Sequence, residues 1–204
     1  MILTILLLSL PVVTAHIPEL VIEDRNYTLE PIIVNEPEIS YAYYGKLQGS
    51  PQIYKIESEN PFHLYVSLLV PYVGQESSEV EFHIMKDEEK IVMMHDYQNW
   101  TKWYEEYGGD WYLQGPEYEA DVEAGTYLVE VHSDTNSEDY TLAIGKIERF
   151  GAVEILKTVF VLPLMKALFW KSYLMIGVYI LIIAGIIALI YVKIIKRVRK
   201  KTKK

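Results

Sequence analysis

The sequence predicts an all-β fold, an antiparallel sandwich of two sheets with a jelly-roll-like character, followed by an interfacial helix and one C-terminal transmembrane helix. Three observations lead there. Short runs with apolar residues at every second position follow one another from Val21 to Gly145. Residues that favour turns separate them at near-even spacing. One long uncharged stretch stands close to the C-terminus.

The strand runs are "YTLEPIIV", "SYAYYGKL", "QIYKIES", "FHLYVSLLV", "VEFHIM", "KIVMMH", "YEADV", "TYLVEVHS" and "DYTLAIG", all rich in β-branched and aromatic residues. Between them fall Asn35-Glu36-Pro37, Gly49-Ser50-Pro51, Asn60-Pro61, Pro71, Gly74, Gly108-Gly109, Gly115-Pro116 and Gly125. No helix-length amphipathic segment alternates with the runs, so parallel βαβ units are not expected, and about eight or nine short strands favour a sandwich over a closed barrel. Alternation assigns the inward faces: Phe62, Leu64, Val66 and Leu68; Val80, Phe82 and Ile84; Tyr127, Val129 and Val131; and Tyr140, Leu142 and Ile144.

The ends of the chain set its compartment. Residues 1–15 are almost wholly apolar and close on Val13-Thr14-Ala15, the small-residue pattern of a cleaved export signal, with no Lys or Arg before them. The stretch 172–192 holds 21 consecutive uncharged residues, which as a helix would span roughly 31 Å, the thickness of a bilayer core. Residues 193–204 carry Lys193, Lys196, Arg197, Arg199, Lys200, Lys201, Lys203 and Lys204 and no acid, which places them in the cytoplasm as a topology signal. Between sandwich and span, residues 151–171 are apolar nearly all round a helix, with Lys157 and Lys166 bracketing a run too short to cross. An interfacial helix bent near Pro163 fits, with Phe169, Trp170 and Tyr173 at headgroup level. The expected order is therefore signal 1–15, extracytoplasmic sandwich 16–150, juxtamembrane helix 151–171, transmembrane helix 172–192 and basic tail 193–204.

Charge narrows the partners. Residues 16–150 carry 8 Lys and Arg against 27 Asp and Glu, a net of −19, although the whole chain stands at −9. Nucleic acid and anionic lipid would be repelled by such a domain, whereas cations, basic proteins and neutral glycans would not. The chain has no cysteine, which excludes a disulfide scaffold and a thiol nucleophile and leaves the core alone to hold about 130 exported residues together.

The stretch "NWTKWYEEYGGDWYLQGPEYE", residues 99–119, concentrates aromatic and acidic side chains. Trp100, Trp103, Tyr104, Tyr107 and Trp111 recur at i, i+3, i+4, i+7 and i+11, the spacing of one helical face, with Lys102, Glu105 and Glu106 on the solvated side. This predicts a lid of about two helical turns that plugs the open end of the sandwich. Trp103 and Trp111 are then buried and Trp100 is the exposed exception. The competing reading is a platform in which Trp100, Trp103, Tyr107, Trp111 and Tyr112 meet a sugar face or a protein partner.

Other chemistry is sparse. His16, His63, His83, His95 and His132 show no HxH, HExxH or carboxylate spacing of a preorganised metal triad. The turn "SDTNSED" offers Asp134, Asn136, Glu138 and Asp139 at the alternate spacing that opens a calcium loop, but the sixth position is Asp139 rather than Gly and the twelfth is Gly145 rather than Glu. A polar hairpin turn is the better reading of these residues, so no cofactor is expected and calcium is the one alternative that the spacing offers. No serine nucleophile motif is present, and no enzyme is expected. Asn26 and Asn99 head glycosylation sequons.

The hairpin "EAGTYLVEVHSDTNSEDYTLAIGKIE", with its Gly-Thr-Tyr entry, alternating strand, polar turn and Asp-Tyr-Thr-Leu strand, resembles the end of pre-peptidase C-terminal (PPC) domains, small β-sandwiches of secreted microbial proteins. Upstream, "ISYAYYGKLQGSPQIYKIES", "PFHLYVSLLVP" and "DWYLQGPEYEADVEAGTY" resemble a family of uncharacterised archaeal and bacterial single-pass surface proteins, from about Glu38 to Trp170. The resemblance implies the sandwich and the anchor and brings no activity. Three functions follow as expectations: a membrane-anchored surface binding or scaffolding protein that meets a protein or glycan outside, an accessory subunit of a membrane transporter or protease complex, and a membrane-tethered hydrolase. The bilayer is a partner in each, held through Trp170, Tyr173, Lys193, Lys196 and Arg197.

Overall fold

The computed structural model describes residues 16–21, 30–87, 89–94, 98–105, 110–149, 151, 158, 161, 164–165 and 173–201. The expected signal 1–15, the sequon residue Asn26, Tyr107, Gly108-Gly109, Trp170 and most of the expected interfacial helix lie outside the described residues. The chain divides into two compact units, Met1–Thr158 and Val159–Lys204.

The first unit is a two-sheet sandwich. Its strands are β1 (Ile17–Leu20), β2 (Ile32–Val34), β3 (Tyr41–Lys46), β4 (Gln52–Ser58), β5 (Phe62–Pro71), β6 (Glu81–Lys86), β7 (Glu89–Met94), β8 (Thr101–Glu105), β9 (Asp110–Val122), β10 (Gly125–His132) and β11 (Asp139–Ile144). Six form one sheet in the order β1-β3-β11-β5-β9-β8, and five form the other in the order β2-β4-β10-β6-β7.

The inward faces are those that alternation assigns. Leu64, Val66 and Leu68 from β5, Phe82 and Ile84 from β6, Val129 and Val131 from β10, and Leu142 and Ile144 from β11 have no exposed surface. They form one cluster with Tyr54, Ile56, Tyr127 and Tyr140. A period of two sends successive side chains to opposite faces, so each of these strands gives one set to this core and the other to an outer face. The Tyr54 and Tyr140 hydroxyls meet inside the core at 2.8 Å, which joins the two sheets through a polar contact as well as an apolar one.

Two expectations need correction. Most pairs are antiparallel, but β1 pairs with β3 and β2 with β4 in parallel. The first four strands alternate between the sheets, and a chain that visits the other sheet before returning is free to re-enter in the same direction, which a tight hairpin forbids. The second concerns residues 101–105, which form strand β8 and not a helix, paired antiparallel with β9 from Thr101↔Gln114 to Glu105↔Asp110. Seven aromatic rings among 21 residues satisfy a helical spacing by density, while β-branched and aromatic residues are also those that a strand accepts best. Gly115-Pro116, which reads as a turn, lies within β9 instead. Ser67 pairs with Glu117 while Leu69 pairs with Gln114, so β9 carries one extra residue there. Such a bulge is where a strand tolerates a proline that cannot donate to the ladder.

In the second unit, α1 (Tyr173–Lys201) is a 29-residue helix. Its described side chains run unbroken from Ile180 to Lys196, a length of about 25 Å. Among the described residues no helix is long and apolar enough to cross a membrane.

Candidate functional site

The outer face of the six-stranded sheet carries a groove of about 210 Å³. Strand register builds it. Ala42 of β3 lies opposite Ala143 of β11, which lies opposite Ser67 of β5, and these three small residues form its floor. One step along the strands, Tyr44, Thr141, Leu69 and Gln114 follow in the same cross-strand order. Tyr112 of β9 and its partner Trp103 of β8 close one side, with ring centroids 6.0 Å apart. Tyr65, Glu105 and His16 complete the lining. The bulge at Gly115-Pro116 matters here, because it shifts the register of β9 just where Gln114 and Tyr112 enter the groove.

The site is weakly polar and uncharged at its floor. Burial raises the Tyr44 hydroxyl to about 12, against a bond from Tyr112 that lowers it and with Glu105 and Asp110 adding to the rise. Burial also lifts Tyr112 well above its usual range, helped by Tyr44, Asp110 and Glu105. Both phenols therefore keep their protons at neutral pH and act as hydrogen-bonding groups, not as bases. His16 is exposed and bonded through Nδ1 to Ser40 Oγ at 2.6 Å. The Thr141 hydroxyl is buried and makes no hydrogen bond. An unmet hydroxyl beneath aromatic walls suits a small ligand that brings both an apolar face and a hydroxyl of its own.

The aromatic candidates part company. Trp103 and Trp111 are 40% and 45% exposed, whereas Trp100 is 8% exposed and belongs to the core. The expected order of burial is thus reversed. In a strand, Trp100 and Trp103 fall on opposite faces, and the inner face takes Trp100 against Gly115, where an added methyl would collide with its ring. Tyr112 is buried at 3% but lines the groove. Trp111 is not part of the groove; its ring packs tilted at 47° against Tyr104, centroids 4.9 Å apart, with the Lys102 ammonium 4.4 Å from its ring. The sequon residues Asn99 and Thr101 are exposed.

The turn after β10 closes on itself. Asn136 has a left-handed φ of 46°, and its Oδ1 accepts from the Ser133 N–H at 3.1 Å. The Glu138 carboxylate accepts from Ser133 Oγ, from Thr135 Oγ1 at 2.5 Å and from the Ser137 N–H at 2.9 Å. Burial raises that carboxyl, but these bonds outweigh it and hold it at about 2. Asp139 faces Lys46 at 3.3 Å and Asp134 is exposed, so the four calcium candidates do not converge on one point. Of the anchor residues, Lys193 and Lys196 are exposed on α1, Tyr173 and Arg197 lie on its backbone path, and Trp170 is outside the described residues.

One constellation was not legible as a metal site from residue spacing. Glu81, His83 and His132 each bring a ligand atom within 4.8 Å of the others. The signal in the sequence is a doubled Glu-x-His, at 81–83 and at 130–132. Each pair shares one face of its strand, and only the register of β6 against β10 brings them together.

No family model matches the chain, and no curated protein does. Among solved structures, a structural neighbour is the pre-peptidase C-terminal domain of a collagenase from Bacillus anthracis, a β-sandwich, with 10% identity and a TM-score of 0.39, covering 59% of this chain and 98% of that one. A β-glucosidase from Paenibacillus barengoltzii matches with 10% identity and a TM-score of 0.28, covering 66% of this chain and 13% of that one.

Proposed function

We propose that the chain is a single-pass, membrane-anchored cell-surface binding protein that presents its acidic sandwich outside and takes a neutral glycan into the groove of the six-stranded sheet. The observation that carries the reading is the groove itself: aromatic walls from Tyr44, Tyr65, Trp103 and Tyr112, a floor of small residues, and an unbonded Thr141 hydroxyl. Flat rings offer a sugar its apolar face, and the hydroxyl supplies a directed hydrogen bond. A net charge of −19 over residues 16–150 disfavours polyanionic glycans and nucleic acid.

The anchor rests on α1. Its apolar side chains Ile180, Leu181, Ile182, Ile186, Ile187 and Leu189 are all exposed. A helix that is apolar all round is at home in a hydrocarbon phase. The uncharged sequence 172–192 and the basic residues after it agree with a span and a cytoplasmic end.

Calorimetric titration of the detergent-solubilised full chain with neutral oligosaccharides tests the ligand. Saturable binding is expected, and it should be weakened at least tenfold by Trp103→Ala and by Thr141→Val. Binding that survives both changes would place the ligand elsewhere, and no binding to any neutral glycan would favour a protein partner.

A further inference from the structure

On the outer face of the five-stranded sheet, β6 and β10 run antiparallel with Glu130 opposite His83 and His132 opposite Glu81. The doubled Glu-x-His thereby becomes a compact quartet of two imidazoles and two carboxylates. The His132 Nε2 lies 3.0 Å from the Glu81 carboxylate, and the two imidazole rings are 4.4 Å apart. Glu130 stands beside both rings, its carboxylate oxygen 3.9 Å from His83 Nδ1 and 3.8 Å from His132 Nδ1.

One feature of the quartet is costly in a protein that binds nothing there. His83 is 6% exposed, and its Nε2 is buried without a hydrogen-bond partner. The Lys90 ammonium sits 3.2 Å from His83 Nδ1. An ammonium can only donate, so Nδ1 accepts and the neutral ring carries its proton on Nε2, the atom with nothing to receive it. A buried donor left without an acceptor is disfavoured, and a cation that displaces that proton removes the defect.

We infer that Glu81, His83 and His132 form a binding site for one divalent transition-metal ion, zinc above all, with Glu130 as the positioning carboxylate. The donor set is two imidazoles and a carboxylate, which suits zinc and other nitrogen-preferring ions and not calcium, whose ligands are oxygens. A tetrahedral ion with bonds of about 2.0–2.1 Å draws its ligand atoms to roughly 3.3 Å apart. The His132–Glu81 pair already meets that spacing, and His83 closes the remainder by a small side-chain rotation. Once His83 binds through Nε2, its proton moves to Nδ1 and points at Glu130, the arrangement that fixes the tautomer and orientation of metal-bound histidines. Lys90 then has to swing away, which its long side chain allows. The three protein ligands leave a fourth position for water or for a donor from a partner.

The site shares no residue with the groove on the six-stranded sheet, and its test is separate. The tag-free full chain in detergent, stripped with a chelator, is titrated with zinc alone against a chromophoric competitor, and cobalt(II) replaces zinc for absorption spectroscopy. We expect one equivalent of zinc, a rise in melting temperature on binding, and cobalt bands of a four- or five-coordinate ion. Glu81→Gln with His132→Gln, both at partly exposed positions that leave the core intact, should abolish uptake. Glu130→Gln should weaken it about 10–100-fold, Lys90→Gln should tighten it, and His63→Gln should leave it unchanged. Absence of stoichiometric uptake, uptake retained by the double variant, or uptake lost in His63→Gln would overturn the site.

Discussion

Trp100 and Trp103 stand three residues apart and have opposite fates. Trp100 lies in the core against Gly115, so Trp100→Ala should cost about 3–5 kcal/mol, as expected when a large ring leaves a cavity. Trp103 is 40% exposed, and Trp103→Ala should cost about 1 kcal/mol, the loss of one cross-strand ring pair. Urea unfolding of the two variants checks the contrast, and equal losses would refute the strand assignment. The sequence showed that these rings were structural or functional as a group, but which was which depends on the face each occupies. That face flips when a helical period gives way to a period of two. His63 makes a second residue-scale case. Asp121 at 2.8 Å and Glu119 at 2.9 Å flank its ring, and those two bonds, Asp121 first, raise it above 6.5. A raised imidazole stabilises the fold fully below 6.5 and loses that contribution as pH rises through its folded value. NMR titration should place the His63 midpoint above 6.5, and Glu119→Gln should bring it down.

At the scale of elements, the strands that alternate cleanly were legible and the irregular ones were not. β5, β6, β10 and β11 bury the residues that period two assigns, because a sheet packed on one side enforces that alternation. The β8–β9 hairpin escaped because its aromatic density fits two periods, and because Gly115-Pro116 is a bulge whose local chemistry is that of a turn. The turn 133–139 was legible as a polar turn, and its internal bonding gives a prediction. Glu138 has its carboxyl lowered to about 2 from 4.5, so the stability it confers is fully present above 4.5 and is lost as pH falls toward 2. Glu138→Gln should therefore lower the melting temperature at pH 7, and the gap from the parent should close across that acid window. A gap that persists at pH 2 would mean that the turn is held by something other than the charged carboxylate.

For the whole molecule, alternating runs divided by turn residues carried the class of fold, and the division of charge between the two ends carried the reading of topology. What no single-strand pattern encodes is register: the quartet of Glu81, His83, Glu130 and His132 exists only because β6 and β10 meet at one offset, and the groove floor exists only because β3, β11 and β5 align three small residues. Both candidate sites are properties of the assembled sheets. We propose that the acidic sandwich is displayed outside while the basic tail stays inside, and the sharpest check is protease digestion of intact cells carrying a tag after Lys204. The sandwich should be degraded while the tag survives on a fragment of the size of α1 and the residues after it. A sandwich protected until the membrane is broken, or a tag cleaved from outside, would contradict it.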